Sequence, residues 1–144
     1  MSKTEKALHL FANNFNCAQS VLAACGPDTG LDERTCLMMT APFGGGLARN
    51  GEVCGAVSGA LMTIGLRDGA AMAADPASAR AELYGRTDAF LQAFRQRNGG
   101  LTCRELTGCD LHTPEGQQQF KERELHQKLC TKLIASAIEL LEQK

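Results

Sequence analysis

Tryptophan is absent, tyrosine occurs once and aromatics make up 5% of the 144 residues. That leaves few rings on which bases could stack. Neither sign of charge dominates: 15 Lys and Arg stand against 16 Asp and Glu, a formal net charge of −1. Without a basic patch there is no electrostatic footprint for nucleic acid or an anionic membrane. Long apolar runs are missing too. The longest weakly polar stretch, Cys54 to Leu66, is too short to span a bilayer. The opening MSKTEKALHLFANNF lacks the apolar core of a signal peptide. These absences predict a soluble, cytoplasmic protein with no nucleic-acid partner and no membrane insertion. No C-x-x-C occurs either, which removes the thioredoxin-type dithiol, the zinc-knuckle pair and covalent haem attachment.

What the chain does have is seven cysteines. In a reducing compartment cysteines do not staple a fold, and an odd number cannot pair fully within one chain. Metal binding or reversible thiol chemistry is then the expected use. The length predicts one domain over 1–144, enough to bury its own core.

The pattern is helical almost throughout, with no convincing strand. Ser2 and Glu5 have capping-box spacing before a stripe of Leu8, Phe11, Ala12 and Phe15. Asn13 to Asn16 favours a turn, with Asn16 as N-cap of a second helix through Ala24 and Cys17 as its first residue. A single helix from Thr4 to Cys25 is the alternative. Asp32 caps a third helix that Pro42 stops. A glycine-rich loop from Phe43 to Gly51 leads into a fourth helix, expected over Glu52 to Ile64. Asp75-Pro76 opens a long helix to Arg97, with Tyr84, Thr87, Leu91 and Phe94 on one face. Thr102 and Glu105 repeat the capping-box spacing and make Cys103 a first helical residue. A polar helix is expected from Glu115. The last helix is expected from Lys128, with Cys130, Ile134, Ala137 and Leu141 as its core stripe. The fold class is thus an all-α bundle of about five to seven helices.

Cys17, Cys54, Cys103 and Cys130 each fall at or near an expected helix start. Unpaired amides and the positive dipole end stabilise a thiolate there, and a thiolate is what attacks disulfides and binds metals. Gly55 and Gly59 share one face of the fourth helix. Their cost in helix stability makes sense if a backbone, a cofactor or a second subunit comes close. The loop glycines Gly44, Gly45, Gly46 and Gly51 are expected to fold against the Cys54 helix start and to point amides at a sulfur. A nucleotide loop is disfavoured, because Glu52 stands where a lysine is needed. His112 and His126 sit in polar surroundings and read as surface residues rather than zinc ligands, and His9 has no assigned role. Cys25 and Cys36 have structural explanations as small apolar residues. Cys103 and Cys109 are the closest cysteine pair in sequence.

Asn16-Cys17-Ala18-Gln19-Ser20, Phe43-Gly44-Gly45-Gly46 and Asn50-Gly51-Glu52-Val53-Cys54-Gly55-Ala56 through Gly59, with Cys103-Arg104-Glu105-Leu106 and Cys130 downstream, resemble the C_GCAxxG_C_C family of small bacterial and archaeal proteins. The resemblance covers nearly the whole chain. Its four cysteines match Cys17, Cys54, Cys103 and Cys130; Cys25, Cys36 and Cys109 fall outside the pattern. It implies redox activity without a defined reaction. A related domain occurs in split-Soret-type cytochromes that carry an iron–sulfur centre, which tilts the expectation toward metal-thiolate chemistry.

Three uses of the four cysteines follow as expectations. The first is an iron–sulfur cluster of the 2Fe–2S kind on Cys17, Cys54, Cys103 and Cys130, for electron transfer or redox sensing. The loop glycines and the Gly55/Gly59 face would line it. The second is metal-free thiol–disulfide chemistry, with Cys17 or Cys54 attacking and Cys103 or Cys130 resolving. The third is structural zinc on the same thiolates or a plain interaction domain. The redox partner is not specified by the sequence, and a homodimer through the small-residue face is expected.

Overall fold

A computed structural model describes residues 1–143. Its α-helices, numbered in chain order, are α1 (Lys3–Ala12), α2 (Cys17–Cys25), α3 (Glu33–Thr40), α4 (Gly55–Asp68), α5 (Ala70–Ala74), α6 (Pro76–Asn98), α7 (Cys103–Thr107), α8 (Pro114–Glu122) and α9 (Thr131–Glu142). No strand occurs among the described residues; one isolated antiparallel bridge joins Val53 to Thr102. The fold is all-α. None of its helices is long and apolar enough to cross a membrane.

The break between the first two helices forms as the asparagines predict. Asn14 adopts φ 75°. Asn16 accepts from the Gln19 amide while the Gln19 side chain caps Asn16 in return. α2 is the centre of the molecule. Ala18, Val21, Leu22, Ala23, Ala24 and Cys25 are all buried, as expected of a helix that is apolar on every side. It is packed by α1, α3, α4 and α9. The main core joins Phe11, Val21, Val57, Phe94, Ile134 and Ile138. A smaller cluster sets Cys36 against Leu22 and Ala23.

Several expectations need correction. α4 begins at Gly55, not Glu52, because residues 51–54 are committed elsewhere. The Cys54 amide donates to Leu101 O at 2.8 Å and the Cys103 amide to Glu52 O at 2.7 Å, so the chain stays extended through Val53. Tyr84 is 60% exposed; the buried face of α6 runs through Phe90 and Phe94 instead. The final helix opens earlier than Lys128, as a π turn over His126–Cys130 that continues into α9. The His126 ring is stacked on Phe11, with centroids 3.9 Å apart and planes 11° off parallel, rather than lying free on the surface.

Candidate functional site

Two helix N-termini meet at the Cys17 sulfur. Cys17 is the first residue of α2, positioned by the Asn16 capping box. Cys54 is the N-cap of α4 and makes no side-chain cap of its own, so its thiol is free to turn elsewhere. It turns to Cys17. The Cys54 thiol donates a hydrogen bond to the Cys17 sulfur, and the amides of Cys17, Ala18 and Gly55 add to it. Against the opposing effect of burial, these donors bring the Cys17 thiol down to about 7. Cys54 is held well above the ordinary thiol range, first because its proton is given to that bond and then by burial. The pair therefore shares one proton, thiolate at Cys17 and thiol at Cys54. Cys17 is half-buried while Cys54 is closed off.

Gly55 is what allows the approach. A Cβ there would stand 2.9 Å from the Cys17 sulfur and 2.9 Å from the Ala18 nitrogen. Gly59, one turn on, would meet the Ala18 carbonyl oxygen at 2.9 Å. The small-residue face of α4 is thus consumed by α2 of the same chain. Gly55 and Gly59 therefore lie against α2 within the chain rather than on an open face.

Cys103 arrives by a different route. The Val53–Thr102 bridge draws the start of α7 against the start of α4, and Thr102 and Glu105 form a reciprocal capping box. Gly46 makes room: with φ 71°, it would place a Cβ 2.5 Å from Glu52 O and 2.8 Å from the Cys103 Cβ. Burial pushes the Cys103 thiol up to about 11, and the neighbouring Cys17 thiolate adds to the rise. Cys130 is buried and its thiol is also pushed up, by burial first and then by the charges of Cys17 and Cys103. The backbone bonds at Val53 and Glu52 thus bring the starts of α4 and α7, and with them Cys54 and Cys103, side by side. Cys130 sits at the end of the π turn, inside a continuous helix. It has no free helix start, and the dipole stabilisation expected for it does not apply.

The loop glycines play other parts than expected. From Gly45 to Arg49 the backbone is left-handed throughout, including Leu47, Ala48 and Arg49. Its amides close on its own carbonyls: Ala48 to Pro42, Arg49 to Gly44, Gly51 to Gly45 and Glu52 to Gly46. The amides that reach the Cys17 sulfur come from α2 and α4. Gly44 abuts Asn16, Gly45 abuts Arg49 and Gly51 abuts Arg104, so these three build the scaffold. A cleft of about 450 Å³ opens beside the α2 cap, lined by Asn16, Pro42, Gly44, Gly45 and Arg49. A second cavity, of about 620 Å³, lies among α4, α6 and α9 and is lined by no cysteine.

A four-thiol donor set suits an iron–sulfur cluster or zinc in its chemistry. Its arrangement does not: among the described residues no three His, Cys, Asp or Glu side chains stand together as a metal-holding group. Cys109 is the residue the sequence left without a role and the structure brings in. It is buried in a cluster against which Cys103 packs, and its closeness to Cys103 in sequence was the available signal.

The helical fold and the paired thiols at converging helix starts define an all-α, cysteine-rich protein. The chain belongs to the family described as "Putative redox-active protein (C_GCAxxG_C_C)", which matches residues 15–144. Comparisons with curated proteins and with solved structures gave no match.

Proposed function

We propose that the protein is a thiol–disulfide redox protein whose working pair is Cys17 and Cys54. The observation that carries this reading is the Cys54-to-Cys17 hydrogen bond at two helix starts, which leaves Cys17 a thiolate near neutral pH. The Cys17 thiolate attacks one sulfur of a disulfide substrate and expels a thiolate. Cys54 then attacks the Cys17 sulfur of the mixed disulfide, and the second substrate thiolate leaves with the Cys54 proton. The substrate gains two electrons and the pair becomes a disulfide. Cys17 is the half-buried member and attacks; Cys54, enclosed, resolves. The partner is a low-molecular-weight or protein disulfide.

Equilibration with glutathione buffers tests this. The wild type should lose thiols reversibly and in pairs, the first as a Cys17–Cys54 disulfide; Cys17→Ser should form no such bridge, and Cys54→Ser should stop at a Cys17–glutathione mixed disulfide. A wild type that keeps every thiol under oxidising buffer would sink the reading.

The four-thiol donor set favours a second reading, an iron–sulfur cluster on Cys17, Cys54, Cys103 and Cys130. It requires these sulfurs to draw closer together than they stand. Under it, Cys54→Ser abolishes visible colour and bound iron; retention of both in that variant contradicts it.

A further inference from the structure

Cys109 is 1% exposed and lies with Leu111 and Leu125 in a cluster against which Cys103 packs. One hydroxyl ties the two cysteines together. Thr107 Oγ1 donates to the Cys103 carbonyl at 2.7 Å and accepts the Cys109 amide at 3.1 Å. Gly108, at φ 68°, ends α7 and turns the chain back beneath it. Arg123 completes the arrangement. Its Nη1 donates to Thr107 O at 3.0 Å and stands 3.8 Å from the Cys109 sulfur. The guanidinium thus closes one side of the Cys109 sulfur and fixes the chain that carries it. Cys103 thus packs on the Cys109 cluster, while its amide, bonded to Glu52 O at 2.7 Å, holds the start of α7 beside the Cys54 end of the first pair.

We propose that Cys103 and Cys109 are a second redox pair, which takes the disulfide from Cys17 and Cys54 by internal exchange. The proposal rests on the thiol–disulfide reading above. Cys103 attacks the Cys54 sulfur of the Cys17–Cys54 disulfide. Cys17 leaves, because the thiol of lower pKa is the better leaving group. Cys109 then attacks the Cys103 sulfur and expels Cys54. Two protons and two electrons pass from the second pair to the first, so the exchange needs no external oxidant. Oxidation of Cys17 also removes the negative charge that helps hold the Cys103 thiol up, which eases the first step once a disulfide is present. The consequence is capacity: Cys17 is freed to meet a second disulfide while the chain stores the first.

Disulfide mapping over time tests the relay. The reduced full chain is treated with glutathione disulfide, quenched in acid at intervals, and its non-reduced peptides are identified by mass spectrometry. The Cys17–Cys54 bridge should come first and the Cys103–Cys109 bridge after it. Cys109→Ser should stop at Cys17–Cys54, and Cys17→Ser should form no Cys103–Cys109 bridge in the same period. A Cys17–Cys54 bridge that never passes on overturns the relay and leaves the first reading standing. A Cys103–Cys109 bridge forming as fast in Cys17→Ser also overturns it. Neither bridge in the wild type overturns both. Should a variant fail to fold, the wild-type time course alone decides.

Discussion

Cys17 owes its low pKa to donors from two places in the chain. Its own helix supplies the Cys17 and Ala18 amides; α4 supplies the Gly55 amide and the Cys54 thiol, and the thiol is the largest of these effects. A lowered pKa means that the reactive thiolate appears at lower pH. Site-resolved alkylation of Cys17 should therefore rise with a midpoint near pH 7. In Cys54→Ala the main donor is lost and the midpoint should move up, each unit costing about tenfold in thiolate well below the midpoint. An unmoved midpoint would show that the amides alone hold the charge. Cys25, pushed up to about 11 by burial, should label far more slowly throughout. The Asn16 cap and the place of Cys17 were legible in the sequence because they are local. The Cys54 hydrogen bond was not, since it joins residues 37 positions apart.

At the scale of elements, the site depends on how closely α4 approaches α2. Gly55→Ala puts a methyl group against a sulfur and a backbone nitrogen, both at 2.9 Å. Overpacking of this kind costs about 1–3 kcal/mol. Urea denaturation should show that loss, and the Cys17 midpoint should rise as the Gly55 amide moves away. Asn16→Ala removes the side-chain half of the capping box, the bond accepted from the Gln19 amide, and should cost about 1 kcal/mol. It should leave the Cys54 contact in place, so a folded Asn16→Ala protein retains a thiolate at Cys17 near neutral pH. Loss of that thiolate would mean that the cap, not the approach of α4, orients the sulfur. Helix starts set by side-chain caps could be read from the sequence at α1, α2, α3 and α7. The start of α4 could not, because it is fixed by hydrogen bonds to residues 101 and 103, far along the chain. The π turn before α9 has no local signal either; the Phe11 ring against His126 and the burial of Cys130 are tertiary.

On the scale of the whole molecule, α2 and the rings of α6 hold the helices that carry the cysteines. Phe94 is fully buried in the main core. Phe94→Ala should cost about 3–5 kcal/mol, read as a lower urea midpoint with an unchanged slope. The all-α class followed from helical periodicity and caps, and the four cysteines followed from the resemblance joined to helix starts. What composition could not supply was which sulfurs meet: Cys17 with Cys54 in a hydrogen bond, Cys103 beside Cys109, and Cys130 inside a helix. These depend on the bridge at Val53 and on the fit of Gly55 against α2. The most direct test of the central claim is a count of alkylatable thiols per chain in anaerobically purified protein, before and after one equivalent of glutathione disulfide, with iron, zinc and sulfide quantified in the same sample. The account predicts seven thiols before, two fewer after, and no stoichiometric metal. Iron with matching sulfide and four cysteines protected from alkylation, or no loss of thiols on oxidation, would contradict it.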